Sequence, residues 1–239
     1  NVTIATVNTK KHFQNPEVLQ SFGTVYSHTI DTSINPFSLV LSLFKFTPYI
    51  VQRFYDKQFT ELLKKVIEVH SIDTVIIDSP FLGEYLLDLR EWSSTLDIFL
   101  RTHNVEFAIH QRLAQTESWL KSQFYRISSK QLQQYELLLM KLVQGVMTVS
   151  ETDKETFVTL GVTTPIQSIP TCVDLQRFPL LSLQRKPLTY FFFGSLDWAP
   201  NVEGLEWFIE NVYPIIKQSL PNSEFHIGGK SPSKELLTL

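Results

Sequence analysis

The feature that most constrains this chain is an alternation of short apolar runs with amphipathic stretches along most of its length. Thr74-Val-Ile-Ile-Asp78 is a continuous apolar run, the pattern of a parallel strand buried on both faces. Ahead of it, Phe59, Leu62, Leu63, Val66 and Ile67 fall on one helical stripe, with Lys64, Lys65 and Glu68 outside it. A second strand runs through Leu96–Leu100, with Arg101, Thr102, His103 and Asn104 gathered at its carboxyl end. Helical patterning spans roughly residues 106 to 143 with a break near 119–122. Gly145–Ser150 is another strand, and residues 151–160 are a helix closed by Gly161 and opened by the capping-box spacing of Ser150 and Asp153. Pro165–Pro170 reads as a short strand. Val2–Val7 and Gly23–Ser27 add two at the amino end, before a Pro-punctuated loop with a short helix over residues 31–50. Strands alternating with helices in this way specify an α/β fold with a parallel sheet covered on both faces.

Residues 174–188 hold Asp174, Arg177, Pro179, Arg185, Lys186 and Pro187 without a sustained period, and read as a linker. The alternation then restarts. Tyr190-Phe-Phe-Phe-Gly194 is a strand, Ser195–Pro200 a turn, and Leu205, Phe208, Ile209 and Val212 mark a helix with Asn201 as its N-cap. Pro214 kinks that helix or starts a second one. Ser223–Gly229 is a further strand. The expected organisation is a first Rossmann-like domain over residues 1–173, a hinge over 174–188, and the start of a second over 189–239. A strand-turn-helix unit can hold a phosphate on backbone N–H groups, here around Gly194 and the helix start, or it can be an ordinary connection; Glu203 weighs toward the latter.

Composition narrows the classes. The net charge of −3 leaves no electrostatic footprint for nucleic acid. No run of 18 apolar residues marks a membrane span. The lone Cys172 excludes an internal disulfide framework and fits a reducing compartment, so a cytoplasmic setting is expected. The Asn1-Val-Thr3 sequon is read as chance. With 43% apolar residues and 18 Phe, the chain has material for a sizeable core.

Five segments in order carry a family resemblance: Arg101-Thr-His103-Asn-Val-Glu106; Val149-Ser150-Glu-Thr-Asp153; Ile169-Pro-Thr-Cys-Val-Asp174-Leu-Gln-Arg-Phe178; Phe193-Gly194-Ser-Leu-Asp-Trp-Ala-Pro-Asn201-Val-Glu-Gly204; and Pro221-Asn-Ser-Glu-Phe-His-Ile-Gly-Gly229. Over roughly residues 70–232 the chain resembles the retaining, metal-independent GT-B glycosyltransferases of bacteria. The resemblance implies two Rossmann-like domains facing a cleft, the first handling a glycan or lipid-linked acceptor and the second a nucleotide-sugar donor. It implies His103 as the catalytic histidine, where the residue alone reads as a histidine hydrogen-bonded at a strand end. It implies donor diphosphate binding at Gly194, Ser195 and Asn201, with no metal and no other cofactor. His12, His28, His70, His110 and His226 stand outside any motif, and Asp78 and Asp97 read as strand-end hydrogen-bonding groups.

The chain also departs from that pattern. Its phosphate turn carries Leu196-Asp197-Trp198 where many members have Arg and Lys. Thr171-Cys172-Val173-Asp174 replaces Asn-Gly-Val-Asp, losing a glycine with ready access to positive φ. The family's E-x7-E segment has no match, Glu235 being the last acidic residue, and neither has its first strand with a Gly-rich loop. The expectation is therefore an internal piece of a longer enzyme. Two other classes stay open, a nucleotide-sugar epimerase on the same scaffold and a non-catalytic binding module. Residues 37–54, with Lys45 and Arg53 among aromatics, suggest peripheral contact with the inner face of the plasma membrane, or else a buried flap.

Overall fold

The computed structural model describes residues 2–10, 13–176, 178, 186–232 and 236. Of the linker, Arg177, Pro179 and Arg185 lie outside the described residues, as do His12 and Glu235. The chain forms two compact units, Asn1–Val173 and Asp174–Leu239. Both are α/β, and every strand pairing is parallel.

The first unit opens with β1 (Thr3–Thr9) and β2 (Thr24–Ile30), paired in register from Thr3↔Thr24 to Thr9↔Ile30. Helix α1 (Pro36–Ser42) is capped by the Asn35 side chain, and one short turn of helix, α2 (Tyr49–Gln52), follows. Helix α3 (Lys57–His70) starts where the Asp56 carboxylate accepts the Gln58 N–H at 2.7 Å and stops at Ser71, whose φ of 50° ends the right-handed turn. Then come β3 (Thr74–Asp78), α4 (Gly83–Trp92), β4 (Asp97–Arg101), α5 (Glu106–Thr116), α6 (Trp119–Lys141), β5 (Gly145–Thr148), α7 (Glu151–Thr159) and β6 (Ile166–Ser168). The four later strands form a second sheet in the order β3-β4-β5-β6.

Its core lies against that second sheet. Ile98 and Leu100 of β4 are fully buried, packed with Leu86 and Leu89 of α4, Leu132, Tyr135 and Leu139 of α6, and Phe157 of α7. Gly83 opens α4 because a Cβ there would stand 2.4 Å from the Tyr135 hydroxyl and 2.5 Å from Leu139.

One expectation needs correction here. The strand at Thr74–Asp78 is not buried on both faces: Ile77 is, but Ile76 is 55% exposed and Thr74 and Asp78 are exposed. The reason is that, among the described residues, β3 has a hydrogen-bonded neighbour on one side only, so β1-β2 and β3-β6 are two sheets rather than one. The stretch after Pro80, which sequence reading passed over, forms α4.

In the second unit β7 (Thr189–Phe193) pairs with β8 (Glu224–Gly228), and between them run α8 (Ala199–Asn211) and α9 (Tyr213–Ser219), the latter with Pro214 in its first turn. Leu196, Leu205 and Leu236 form its small core with Phe192, Ile209 and Phe225. Asn201 is not the N-cap. That position is Trp198, with no side-chain cap, and Asn201 sits inside the first turn with Nδ2 donating to the Ser195 carbonyl at 3.0 Å. An Asn three residues into a helix can still tie back to the preceding turn, which is the role it takes here.

Gly229 is the tightest position of this unit, since a Cβ there would lie 1.9 Å from the Gly194 carbonyl oxygen. Backbone cannot retreat as a side-chain tip can. Gly229→Ala is expected to destabilise the second unit by about 1–3 kcal/mol, read as faster proteolysis within residues 190–230 while the first unit stays resistant. Gly204→Ala is the control. No atom stands within 4 Å of its added methyl, and alanine in a helix interior is expected to slow cleavage slightly.

Candidate functional site

Parallel pairing of β3 with β4 sets Asp78 directly opposite Arg101 at the carboxyl ends of both strands. Open parallel sheets bind their ligands at that edge. The chain continues one residue further in extended form, with the Thr102 N–H donating to the Met147 carbonyl at 2.8 Å and the Thr102 side chain fully buried. His103 follows at the point where the backbone leaves the sheet.

Three side chains meet there. Asp78 Oδ1 accepts from Arg101 Nη1 at 3.0 Å and lies 3.0 Å from His103 Nε2. Arg101 Nη1 is 3.5 Å from the same imidazole nitrogen. A carboxylate only accepts, so in the contact at 3.0 Å His103 Nε2–H donates to Asp78 Oδ1. The ring is 44% exposed rather than enclosed in apolar interior. Asp78 therefore orients the imidazole while Arg101 balances the carboxylate's charge. Ser79 follows with φ 143°, outside the regions that L-residues ordinarily occupy, and its hydroxyl accepts from the Phe81 N–H at 3.2 Å.

The next helix start is already occupied by a protein group. Glu136 of α6 is fully buried and accepts the Glu106 and Phe107 N–H groups, at 3.2 and 3.0 Å, at the amino end of α5. A carboxyl group from a neighbouring helix thus serves as the cap that α5 lacks in its own sequence. Sequence reading missed it. The signal was a single acidic residue among Leu132, Tyr135, Leu139 and Met140 on the apolar stripe of α6. Burial, against the pull of the two backbone donors, pushes the Glu136 carboxyl up to about 8, and the nearby Glu106 carboxylate adds to the rise. Burial raises Glu106 as well, opposed by the Asn104 amide and His103.

In the second unit the expected phosphate turn has fewer open donors than its sequence suggests. The Gly194 N–H donates to the Gly228 carbonyl and the Leu196 N–H to the Lys230 carbonyl. The Asn201 and Val202 N–H groups both donate to the Trp198 carbonyl, and Pro200 has none. Of Gly194, Ser195 and Asn201, the structure gathers all three around the β7–α8 turn; Ser195 is the one for which a main-chain donor is not taken up by these bonds. His103 lies in the first unit and these three in the second.

Outside the motifs, His110 stacks edge-on to Tyr125 and contacts Ser128 Oγ at 2.9 Å, with burial holding its pKa below the usual histidine range. Cys172 is exposed. Among the described residues no three His, Cys, Asp or Glu side chains are placed to hold a metal ion, and no helix is long and apolar enough to cross a membrane. Models of known protein families give no match to this chain, and the search of curated proteins gives none.

Glu136 has a consequence for pH. In the unfolded chain its carboxyl ionises in the ordinary range near 4.5, whereas folded it keeps its proton up to about 8. Between those values the folded state binds more protons, so its contribution is full below about 4.5 and is lost as pH rises through about 8. Glu136→Gln keeps an acceptor oxygen and cannot ionise. Thermal unfolding followed from pH 4.5 to 8 is expected to fall more gently in the Gln variant than in the parent.

Proposed function

We propose that this chain is part of a retaining glycosyltransferase of the GT-B kind, moving a sugar from a nucleotide-sugar to a glycan or lipid-linked acceptor without a metal ion. The observation that carries the reading is the Asp78–His103–Arg101 cluster at the carboxyl edge of a parallel sheet, built around His103, the residue for which the sequence resemblance implies a catalytic role. In this reading the two units are the acceptor and donor halves of a two-domain enzyme. The acceptor hydroxyl approaches His103, held in place by Asp78. The donor diphosphate rests on Ser195, near Gly194 and Asn201, in the second unit. Departure of the diphosphate frees an oxygen that helps deprotonate the incoming hydroxyl on the same face, which retains the anomeric configuration. The protein's share is orientation and stabilisation of the leaving group's charge.

The reading sets the protein at the cytoplasmic side of the membrane that supplies a lipid-linked acceptor. Phe37, Phe44 and Phe46, 73%, 86% and 53% exposed, supply apolar surface for peripheral contact there. A second reading, a non-catalytic binding module, is favoured by one observation. The turn at Gly194–Trp198 has no Lys or Arg, and its Gly194 and Leu196 N–H groups are committed to strand β8 and Lys230.

Release of nucleoside diphosphate from a panel of nucleotide-sugars separates the two. His103→Ala is expected to lower turnover about 100-fold or more. Asp78→Asn, which leaves the ring in place with a weaker partner, is expected to lower it less. Both variants should keep thermal stability within about 1 kcal/mol, because exposed ion pairs contribute little. Unchanged turnover in His103→Ala removes the imidazole from the mechanism, and absence of turnover in the parent favours the binding module.

A further inference from the structure

We infer that helix α1 and the amino-terminal half of α6 form one docking face of the first unit, and that its partner is a membrane surface bearing anionic lipid headgroups. The inference deepens the peripheral contact proposed above and rests on that reading only for the side of the membrane; the face itself is argued from burial and charge. Helix α1 is turned inside out. Phe37, Val40 and Leu41, with Phe44 just past the helix end, follow at i, i+3, i+4 and i+7, the spacing of a stripe that normally faces a core. All four are exposed, Phe44 to 86%. The buried residue of α1 is the polar Ser42, whose hydroxyl donates to the Leu39 carbonyl.

The stripe is held in that orientation at both ends. Asn35 caps the first turn by accepting the Phe37 and Ser38 N–H groups, and its own N–H donates to the Tyr49 hydroxyl at 2.6 Å. At the far end the side-chain amide of Gln131, on α6, stands 2.9, 3.1 and 2.8 Å from the Ser42, Leu43 and Lys45 carbonyls and ties the turn after α1 to α6. From there the surface continues along α6. Leu120, Phe124 and Ile127 precede Gln131 at the spacing of one helix face. Leu120 is 74% exposed and Trp119, beside it, 72%, with Ile127 exposed as well. Two segments far apart in sequence thus turn apolar side chains outward where α1 meets α6. A contiguous apolar surface of this kind marks an interaction site, whereas singly scattered apolar residues do not.

Charge selects the occupant. Residues 32–54 carry Lys45 and Arg53 and no acidic residue, and residues 107–135 carry Arg112, Lys121, Arg126 and Lys130 against a single acid, Glu117. Lys45, Lys121, Arg126 and Lys130 are exposed among the apolar side chains, and Glu117 is bonded to Lys121 at 3.1 Å. The chain as a whole has a net charge of −3, so this is a basic face on an acidic molecule. Apolar side chains ringed by Lys and Arg match the interface of a bilayer, where aromatic rings enter the headgroup region and the cations stay level with the phosphates. Each Lys or Arg near an anionic surface adds to the attraction. A second copy of the chain fits less well, because a twofold contact would bring two basic faces together.

Co-sedimentation of the 239-residue chain with vesicles, without a nucleotide-sugar in the mixture, tests the inference. Binding to phosphatidylcholine vesicles containing about 30% phosphatidylglycerol is expected to be at least about tenfold tighter than to phosphatidylcholine alone, and about 0.5 M salt is expected to remove most of that difference. Lys121→Gln, Arg126→Gln and Lys130→Gln together are expected to erase the preference for anionic lipid. Phe37→Ser with Phe44→Ser is expected to weaken binding to both kinds of vesicle about tenfold or more. These side chains are all exposed, so the variants should keep the parent's melting temperature. Brominated lipid gives a check on the parent itself: it is expected to quench tryptophan fluorescence, and Trp119→Phe to remove most of the quenching. No binding to either vesicle overturns the inference. So does binding that these substitutions leave unchanged, or a parent that is a dimer in solution and a monomer in the Phe37/Phe44 variant, which means that a second copy covers the face. The catalytic reading fails separately: a chain that binds anionic vesicles and releases no nucleoside diphosphate removes the transferase and keeps the docking face.

Discussion

The register between β3 and β4 is the constraint on which the site depends. It puts Asp78 opposite Arg101 and one residue short of the turn where His103 leaves the sheet. A slip of one residue would carry Ile98 and Leu100 from the core to the outer face, at a cost of several kcal/mol of lost apolar burial. The packing of those two side chains against α4 and α6 therefore fixes a polar cluster that contributes little stability itself. Fold energy and site geometry are separate in origin but locked together by the two-residue period of the strand.

The second dependence runs through α6. Its apolar stripe covers the sheet, and the one acidic residue on that stripe, Glu136, supplies the acceptor that the start of α5 needs. Helix α5 begins three residues after His103, so the backbone that carries the imidazole is pinned at Thr102 by strand β5 and at Glu106 and Phe107 by a buried carboxyl. A short segment held at both ends keeps a functional side chain in one place without a large local core.

Much of this was legible in the sequence. Apolar runs with polar carboxyl ends marked β3, β4 and β5, and the stripe from Phe59 to Ile67 marked α3, because burial on one face leaves a period that side chains report. The position of His103 at a strand's end followed from the same pattern. Asn201 read as a cap because its residue type favours that place, while the helix began three residues earlier at Pro200's turn, where proline fits the first positions equally well. Glu136 was hidden for a different reason: its partners are N–H groups thirty residues away in sequence, brought close only by the packing of α5 on α6.

The claim at the centre of the account is that the imidazole of His103, oriented by Asp78, is the group that meets a bound sugar nucleotide. Nitrogen-15 spectra of the histidine rings, recorded during titration with a panel of nucleotide-sugars, test it most directly. The account predicts that at least one donor shifts the Nδ1 signal of His103 and leaves the half-buried ring of His110 unmoved. A donor that binds while the His103 signal stays in place would contradict it.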